Sequence, residues 1–170
     1  ALQRAKESEE GGVEEVVYEG FLRGGVSVII EAVTDNPQRM ASEVKSIFSK
    51  EGASFGKSGS VAYQFVSKGR ISIKKDGKLL DEIFNLAAES GAEDLEEIDD
   101  STFVYTAPLE LSKVRSKLEE KGVAIVDIEI IRKPIQTISI QDELQREKII
   151  NFLEKLEGLD DVQKVYSNLA

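Results

Sequence analysis

Hydrophobic residues alternate with polar ones in two β-rich runs near the start of the chain, residues 13–23 and 26–34. The pair Gly24-Gly25 lies between them, and a double glycine between two alternating runs is typical of a β-hairpin. We therefore predict two adjacent antiparallel strands. Before them, residues 1–10 carry helical spacing and end at Gly11-Gly12, which predicts the end of a helix.

An amphipathic helix is predicted over residues 37–51. Asn36 can cap its start, Pro37 suits its first position, and Gly52 ends it. Apolar residues recur at helical spacing along this segment and form one stripe that we expect to be buried: Met40, Val44, Ile47 and Phe48.

A Gly- and Ser-rich connection, residues 53–60, leads from this helix to a predicted strand at residues 61–66. Tyr63 and Phe65 alternate there with Ala62 and Gln64, so they share one face of the strand. We expect both rings to face the helices of their own lobe, since the sequence has no RNP-type motif for stacking RNA bases.

Residues 70–131 alternate between strand and helix patterns in the order βαββαβ, which is typical of a ferredoxin-like unit. The remaining segments are a short strand at 137–140, a helix, and a last strand at 162–166. They cannot close a core alone, but they complete a second βαββαβ set when joined to the segments 26–34, 37–51 and 61–66.

The predicted fold is therefore α+β, with two ferredoxin-like βαββαβ lobes, one inserted into the other. Its predicted domains are residues 13–69 plus 134–170 and an inserted domain at 70–133, with 1–12 as the remnant of a preceding helical domain or linker.

Composition excludes most catalytic chemistry. The chain has no Cys and no His, which removes the commonest general base, the Ser-His and Cys-His nucleophiles, and imidazole metal ligands. We expect no enzyme activity, no cofactor and no metal site. No stretch approaches the roughly 20 apolar residues that cross a bilayer, so we expect no membrane contact.

Charge is unevenly distributed along the chain. The net charge is −10, which opposes general attraction to DNA or RNA. However, residues 37–78 hold nine Lys and Arg against three Asp and Glu, whereas residues 79–129 hold four against fourteen. This asymmetry predicts a basic surface near one lobe and an acidic surface on the other.

Several motifs resemble the YebC/PmpR family, and they occur in the family's order over nearly the whole chain. They are Tyr18-Glu19-Gly20-Phe21, Gly24-Gly25-Val26, Thr34-Asp35-Asn36, Gly59-Ser60-Val61, Gly91-Ala92-Glu93-Asp94, Tyr105-Thr106-Ala107-Pro108 and the tail from Leu159 to Asn168.

The resemblance implies a regulator of gene expression, either a DNA-binding transcriptional regulator or a ribosome-associated translation factor. It implies DNA, RNA or the ribosome as partner, bound mainly through a basic N-terminal domain that we expect to precede residue 1. It also implies a cytoplasmic protein, or a mitochondrial one in a eukaryote.

Two features could contact such a partner. Backbone N–H groups of the loop at Gly56, Gly59 and Ser60 could bind a phosphate, although these residues could equally serve only a tight turn. Basic residues around it could form a phosphate-facing patch, or only a solvated surface: Arg39, Lys45, Lys57, Lys68, Arg70, Lys74 and Lys75. The acidic run at 93–100 could hold Mg²⁺ or Ca²⁺, or form a solvated strand.

Two alternatives to the regulator remain open. A βαββαβ lobe can bind a small molecule, which makes a ligand-sensing module possible, and fold alone does not separate these functions. A scaffold that binds only proteins is the other alternative, favoured where an exposed apolar patch lies away from the lysines.

Overall fold

The computed structural model describes residues 12–170 and divides them into two compact units. The outer lobe comprises residues 12–65 together with Pro134–Ala170, and the inserted lobe comprises Val66–Lys133. The two-lobed α+β fold predicted from the sequence is confirmed. The helix predicted at residues 1–10 lies outside the described residues.

The elements follow one another in a simple order. They are β1 (Glu14–Leu22), β2 (Val26–Thr34), α1 (Pro37–Lys50), β3 (Ser54–Gly56), β4 (Phe65–Lys74), α2 (Leu80–Glu89), β5 (Asp94–Ile98), β6 (Ser101–Thr106), α3 (Leu111–Glu120), β7 (Ala124–Pro134), α4 (Glu143–Glu157) and β8 (Val162–Ser167), with short 3-10 helices at Ala62–Gln64 and Pro108–Glu110.

The outer lobe is built on an antiparallel sheet in the order β3-β1-β2-β8. One face of this sheet packs against α1 and α4. Asn36 caps α1 as predicted, since its side-chain oxygen accepts from the backbone N–H of Arg39 at 3.1 Å. The buried residues of this core are Val26, Val28, Ile30, Ala32, Met40, Val44, Phe48, Ile149, Phe152 and Leu156.

Two predicted strands of the outer lobe are wrong. Residues 61–66 do not join its sheet, because they form a 3-10 helix and then the start of β4. The edge position belongs instead to β3, which lies in the segment predicted as a connection. The segment 137–140 makes a single parallel bridge, between Ile138 and Leu169, rather than a strand.

The inserted lobe has the predicted βαββαβ order, and its sheet runs β5-β6-β4-β7. The crossover helices α2 and α3 bury one face of this sheet, as the ferredoxin-like fold requires. Its core consists of Ile71, Ile73, Ile83, Ala87, Val104, Leu111, Val114, Leu118 and Val123.

Gly20 tests how tightly the outer core is packed. A Cβ at this position would lie 2.1 Å from Cε2 of Phe48 and 2.6 Å from the backbone oxygen of Ser54. We therefore expect Gly20→Ala to lower the free energy of unfolding by about 1–3 kcal/mol, measured by urea denaturation. The control Gly158→Ala, whose Cβ would meet no atom closer than 3.4 Å, should change it little, and equal effects would contradict this packing.

Candidate functional site

The face of the outer sheet opposite its helices is covered by residues 57–64, which we call the covering segment. Val61 and Ala62 pack with Phe65 against Ile29 and Tyr166 on this face. Glu19 lies on the same face, since it is the direct register partner of Ile29. The covering segment thus shields the middle of the open sheet face.

The carboxylate of Glu19 holds the covering segment in place. It accepts hydrogen bonds from the backbone N–H groups of Gly59 at 2.6 Å, Val61 at 2.9 Å and Ala62 at 2.7 Å. Glu19 is only 4% exposed, and a buried carboxylate is tolerated only when such charge-assisted bonds replace its water.

Some of these bonds involve the glycine-rich loop. The N–H of Gly59 is bonded to Glu19, and the N–H of Ser60 donates to the carbonyl of Lys57 at 3.0 Å. Gly59 has a φ of +89°, and a Cβ on Gly56 would lie 2.3 Å from Oγ of Ser60. The N–H groups of Gly59 and Ser60 thus donate to acceptors within the chain, and the glycines permit a tight loop.

A second network fixes the far end of the covering segment. Asn168, which is 3% exposed, accepts from the backbone N–H of Ser27 at 2.8 Å through its side-chain oxygen. The hydroxyl of Ser27 donates to the side-chain oxygen of Gln64 at 2.8 Å. The tail motif and the hairpin motif are thus joined to Gln64, which a sequence without spatial information could not show.

The side chains of the covering segment remain accessible. Lys57 and Ser58 are exposed, and the ring of Tyr63 is 72% exposed. The prediction that Tyr63 lies in the core is wrong, because it stands on a 3-10 helix where strand alternation does not apply. The same prediction is correct for Phe65, which is 9% exposed.

The predicted basic residues of the outer lobe differ in their surroundings. Arg39 is 3.3 Å from Asp35, 3.2 Å from Asp161 and 3.8 Å from Glu43, so three carboxylates surround it. Lys45 lies over the ring of Phe55, 5.3 Å from its centroid. Lys57 makes no ion pair with any part of the chain that the structure describes.

The predicted basic residues of the inserted lobe lie on or beside β4, and acidic residues neutralise most of them. Three ion pairs involve them: Lys68 with Glu93, Arg70 with Glu129, and Lys75 with Glu97. Lys74 has no ion pair within residues 12–170. The acidic run thus pairs with nearby lysines, and it provides no group of three metal-ligating side chains among the described residues.

Aromatic rings on the open face of the inserted sheet are also occupied. Arg70 lies over Phe103, 4.9 Å from the ring centroid, and Lys133 lies over Tyr105 at 3.7 Å. The Tyr105 hydroxyl donates to Glu96 at 2.8 Å, and the residue is 5% exposed. Burial, reinforced by this hydrogen bond and the charge of Glu96, raises the pKa of Tyr105 well above its ordinary value.

Similarity to known proteins identifies the family of this chain. The family model described as "TACO1/YebC second and third domain" matches residues 13–169. The chain belongs to the TACO1/YebC family. The predicted resemblance to YebC/PmpR proteins is therefore confirmed at the level of this family.

Relatives from several bacteria are named probable transcriptional regulatory proteins. One from Sulfurihydrogenibium sp. is 46% identical over 171 residues, which cover 99% of this chain and 68% of that protein. One from Aquifex aeolicus is 43% identical over 164 residues, covering 96% and 66%. Their names describe a non-enzymatic role, which confirms the expectation that the protein is not an enzyme.

A solved structure shows the same fold. The crystal structure of a conserved hypothetical protein from Aquifex aeolicus superposes with a TM-score of 0.87 at 43% identity, covering 94% of this chain and 65% of that one. This chain therefore spans about two thirds of the length of the relatives that it matches.

Glu19 provides the first test of the site. Glu19→Gln removes the charge and replaces one of the two accepting oxygens by an NH₂ group, so at least one of the three N–H groups loses its acceptor. We expect a loss of about 1.5–3 kcal/mol in the free energy of unfolding, measured in urea. Glu15→Gln, an exposed position on the same strand, is the matched control, and a similar loss in both variants would sink this role of Glu19.

Tyr105 provides a test by pH. Because its folded-state pKa is raised, its contribution to stability is complete below about pH 10 and is lost as the pH rises through the folded value. Wild type should therefore lose more unfolding free energy above pH 10 than Tyr105→Phe, measured by thermal unfolding across a pH series. The control Tyr63→Phe, at an exposed ring, should match wild type, and identical curves for Tyr105→Phe and wild type would contradict the buried hydroxyl.

Proposed function

We propose that the protein regulates gene expression without catalysing a reaction, and that this chain contributes a contact to single-stranded nucleic acid, either a transcript or ribosomal RNA. The relatives' names support the regulatory role. The observation that carries the contact is the exposed ring of Tyr63 on a backbone that Glu19 fixes.

An exposed aromatic ring on a rigid segment suits an unstacked base. Every base has a π-face, and proteins that hold single strands stack bases on such rings beside cations that meet the phosphates. Tyr63 offers the ring, and Lys57 and Ser58 on the same segment offer a cation and a hydroxyl. Because Glu19 pins the backbone between them, little conformational entropy would be lost on binding.

Duplex DNA fits this chain less well. Affinity for a duplex depends largely on unpaired Lys and Arg that displace phosphate counterions. Of the seven basic residues predicted to form a patch, four are held by carboxylates: Arg39, Lys68, Arg70 and Lys75. With a net charge of −10 in addition, we propose that the phosphate affinity of the longer relatives resides mainly in the third of their length that this chain does not match.

The grooves within each lobe give less support to a ligand-sensing function. The groove beside the start of α4 has a volume of about 590 Å³, and charged side chains from Arg23, Glu51, Asp142 and Lys148 line it. Small-molecule sites are instead mostly apolar with few polar groups. No helix in residues 12–170 is long and apolar enough to span a membrane. Because the relatives named above come from bacteria, we propose the bacterial cytoplasm as the place of action.

Fluorescence anisotropy with a labelled single-stranded RNA and a duplex DNA of the same sequence tests this proposal. Tyr63→Ala should weaken RNA binding about tenfold, because stacking contributes roughly 1–3 kcal/mol per base. Lys57→Ala should weaken it less and reduce its salt dependence.

The controls are Leu144→Ala, at a hydrophobic residue as exposed as Tyr63, and Lys148→Ala, at an exposed lysine of the same lobe; both should bind like wild type. Tighter binding to the duplex than to RNA, or equal affinity for Tyr63→Ala and wild type, would contradict the proposed contact.

A further inference from the structure

One end of the inserted lobe carries exposed apolar side chains. The strands β4 and β5 both pair antiparallel with β6, so their carboxyl ends lie at the same end of the sheet, where α2 begins. There Leu79 is 69% exposed, Leu80 37% and Phe84 56%, and at the end of β5 Ile98 is 47% exposed.

These side chains are a consequence of how α2 packs. Ile83 and Ala87 are buried in the lobe's core. Leu80 and Phe84 are four residues apart, so they lie together along one edge of this buried stripe, next to Leu79 at the start of the helix. An apolar cluster of this kind on a helix surface marks an interaction site more often than single exposed residues do.

The charges around this cluster are mainly negative. Five exposed carboxylates make no ion pair within residues 12–170: Asp76, Asp81, Glu82, Asp99 and Asp100. Of the three lysines nearby, Lys75 is paired with Glu97, and Lys74 and Lys78 make no ion pair within residues 12–170. A groove of about 570 Å³ at the same end of the sheet is lined by three carboxylates and two lysines, which are Glu97, Asp100, Asp127, Lys74 and Lys75. The surplus of negative charge repels a polyanion and attracts a cationic partner.

We propose that this end of the inserted lobe docks a basic protein, whose apolar side chains cover Leu79, Leu80 and Phe84 while its Lys and Arg face the carboxylates around them. A second copy of this chain is a poorer fit, because two copies would bring like charges together. The proposal rests on the inserted lobe alone and is independent of the RNA contact proposed for the covering segment.

A defined peptide tests the proposal with the 170-residue chain. The probe is a labelled 16-residue helical peptide with Leu on one face and Lys on the other. Wild type should bind it, while Phe84→Gln and the charge reversal Asp81→Lys/Glu82→Lys should each weaken binding roughly tenfold, the size expected for a central interface anchor. Two altered peptides, one with Glu in place of Lys and one with Gln in place of Leu, should bind wild-type protein no more tightly than the original peptide binds these variants.

Matched variants at other surfaces provide the controls. Leu144→Gln changes a leucine in the outer lobe that is 71% exposed, and Glu119→Lys/Glu120→Lys reverses two carboxylates on α3. Both should bind the peptide within about twofold of wild type. Amide chemical shifts should move at residues 79–84 and not at 57–64.

Several results would overturn the proposal. One is equal binding by Phe84→Gln and wild type, or by the Lys and Glu peptides. Another is a dimer in sedimentation that Phe84→Gln dissociates, since the occupant would then be a second copy. A third is loss of single-stranded RNA binding in Phe84→Gln, which would make the surface a nucleic-acid site. Loss of RNA binding in Tyr63→Ala alone leaves this proposal unaffected.

Discussion

The outer lobe depends on the buried carboxylate of Glu19. A four-stranded sheet with helices on one face leaves its other face open, and here the covering segment closes the middle of that face without adding a strand. Because three backbone N–H groups meet a single carboxylate, the segment is fixed without a β-ladder. Its conformation in turn buries Phe65 and presents Tyr63 to solvent.

Ion pairing explains why a chain with separated charges lacks a strongly basic face in its inserted lobe. Lys68 and Arg70 lie on β4, and the carboxylates that pair with them come from other parts of the same lobe. Charges far apart in sequence thus become neighbours, because the order of strands in the sheet differs from their order in the sequence. Because these cations are already paired, the carboxylates at the start of α2 have no ion-pair partner within residues 12–170. They give that end of the inserted lobe its negative charge.

The inserted lobe could be predicted because its helices and strands have clear periodicity and end at glycines such as Gly91 and Gly122. The outer lobe was predicted less well because β3 has only three residues, too few for a pattern. Residues 61–66 alternate like a strand, yet the N–H groups of Val61 and Ala62 bond to a carboxylate some 40 residues earlier. Local sequence does not report such a distant acceptor, so the exposure of Tyr63 could not be predicted. Glu19 belongs to the motif Tyr18-Glu19-Gly20-Phe21, but that motif does not show which N–H groups its carboxylate binds.

Amide hydrogen exchange in the free protein tests this account most directly. The N–H groups of Gly59, Val61 and Ala62 should exchange far more slowly than that of Ser58, because the Glu19 carboxylate holds them. In Glu19→Gln that protection should fall while β2 and α1 keep theirs. Fast exchange at all three positions in wild type would show that the carboxylate does not fix the covering segment, and the rigid presentation of Tyr63 would fall with it.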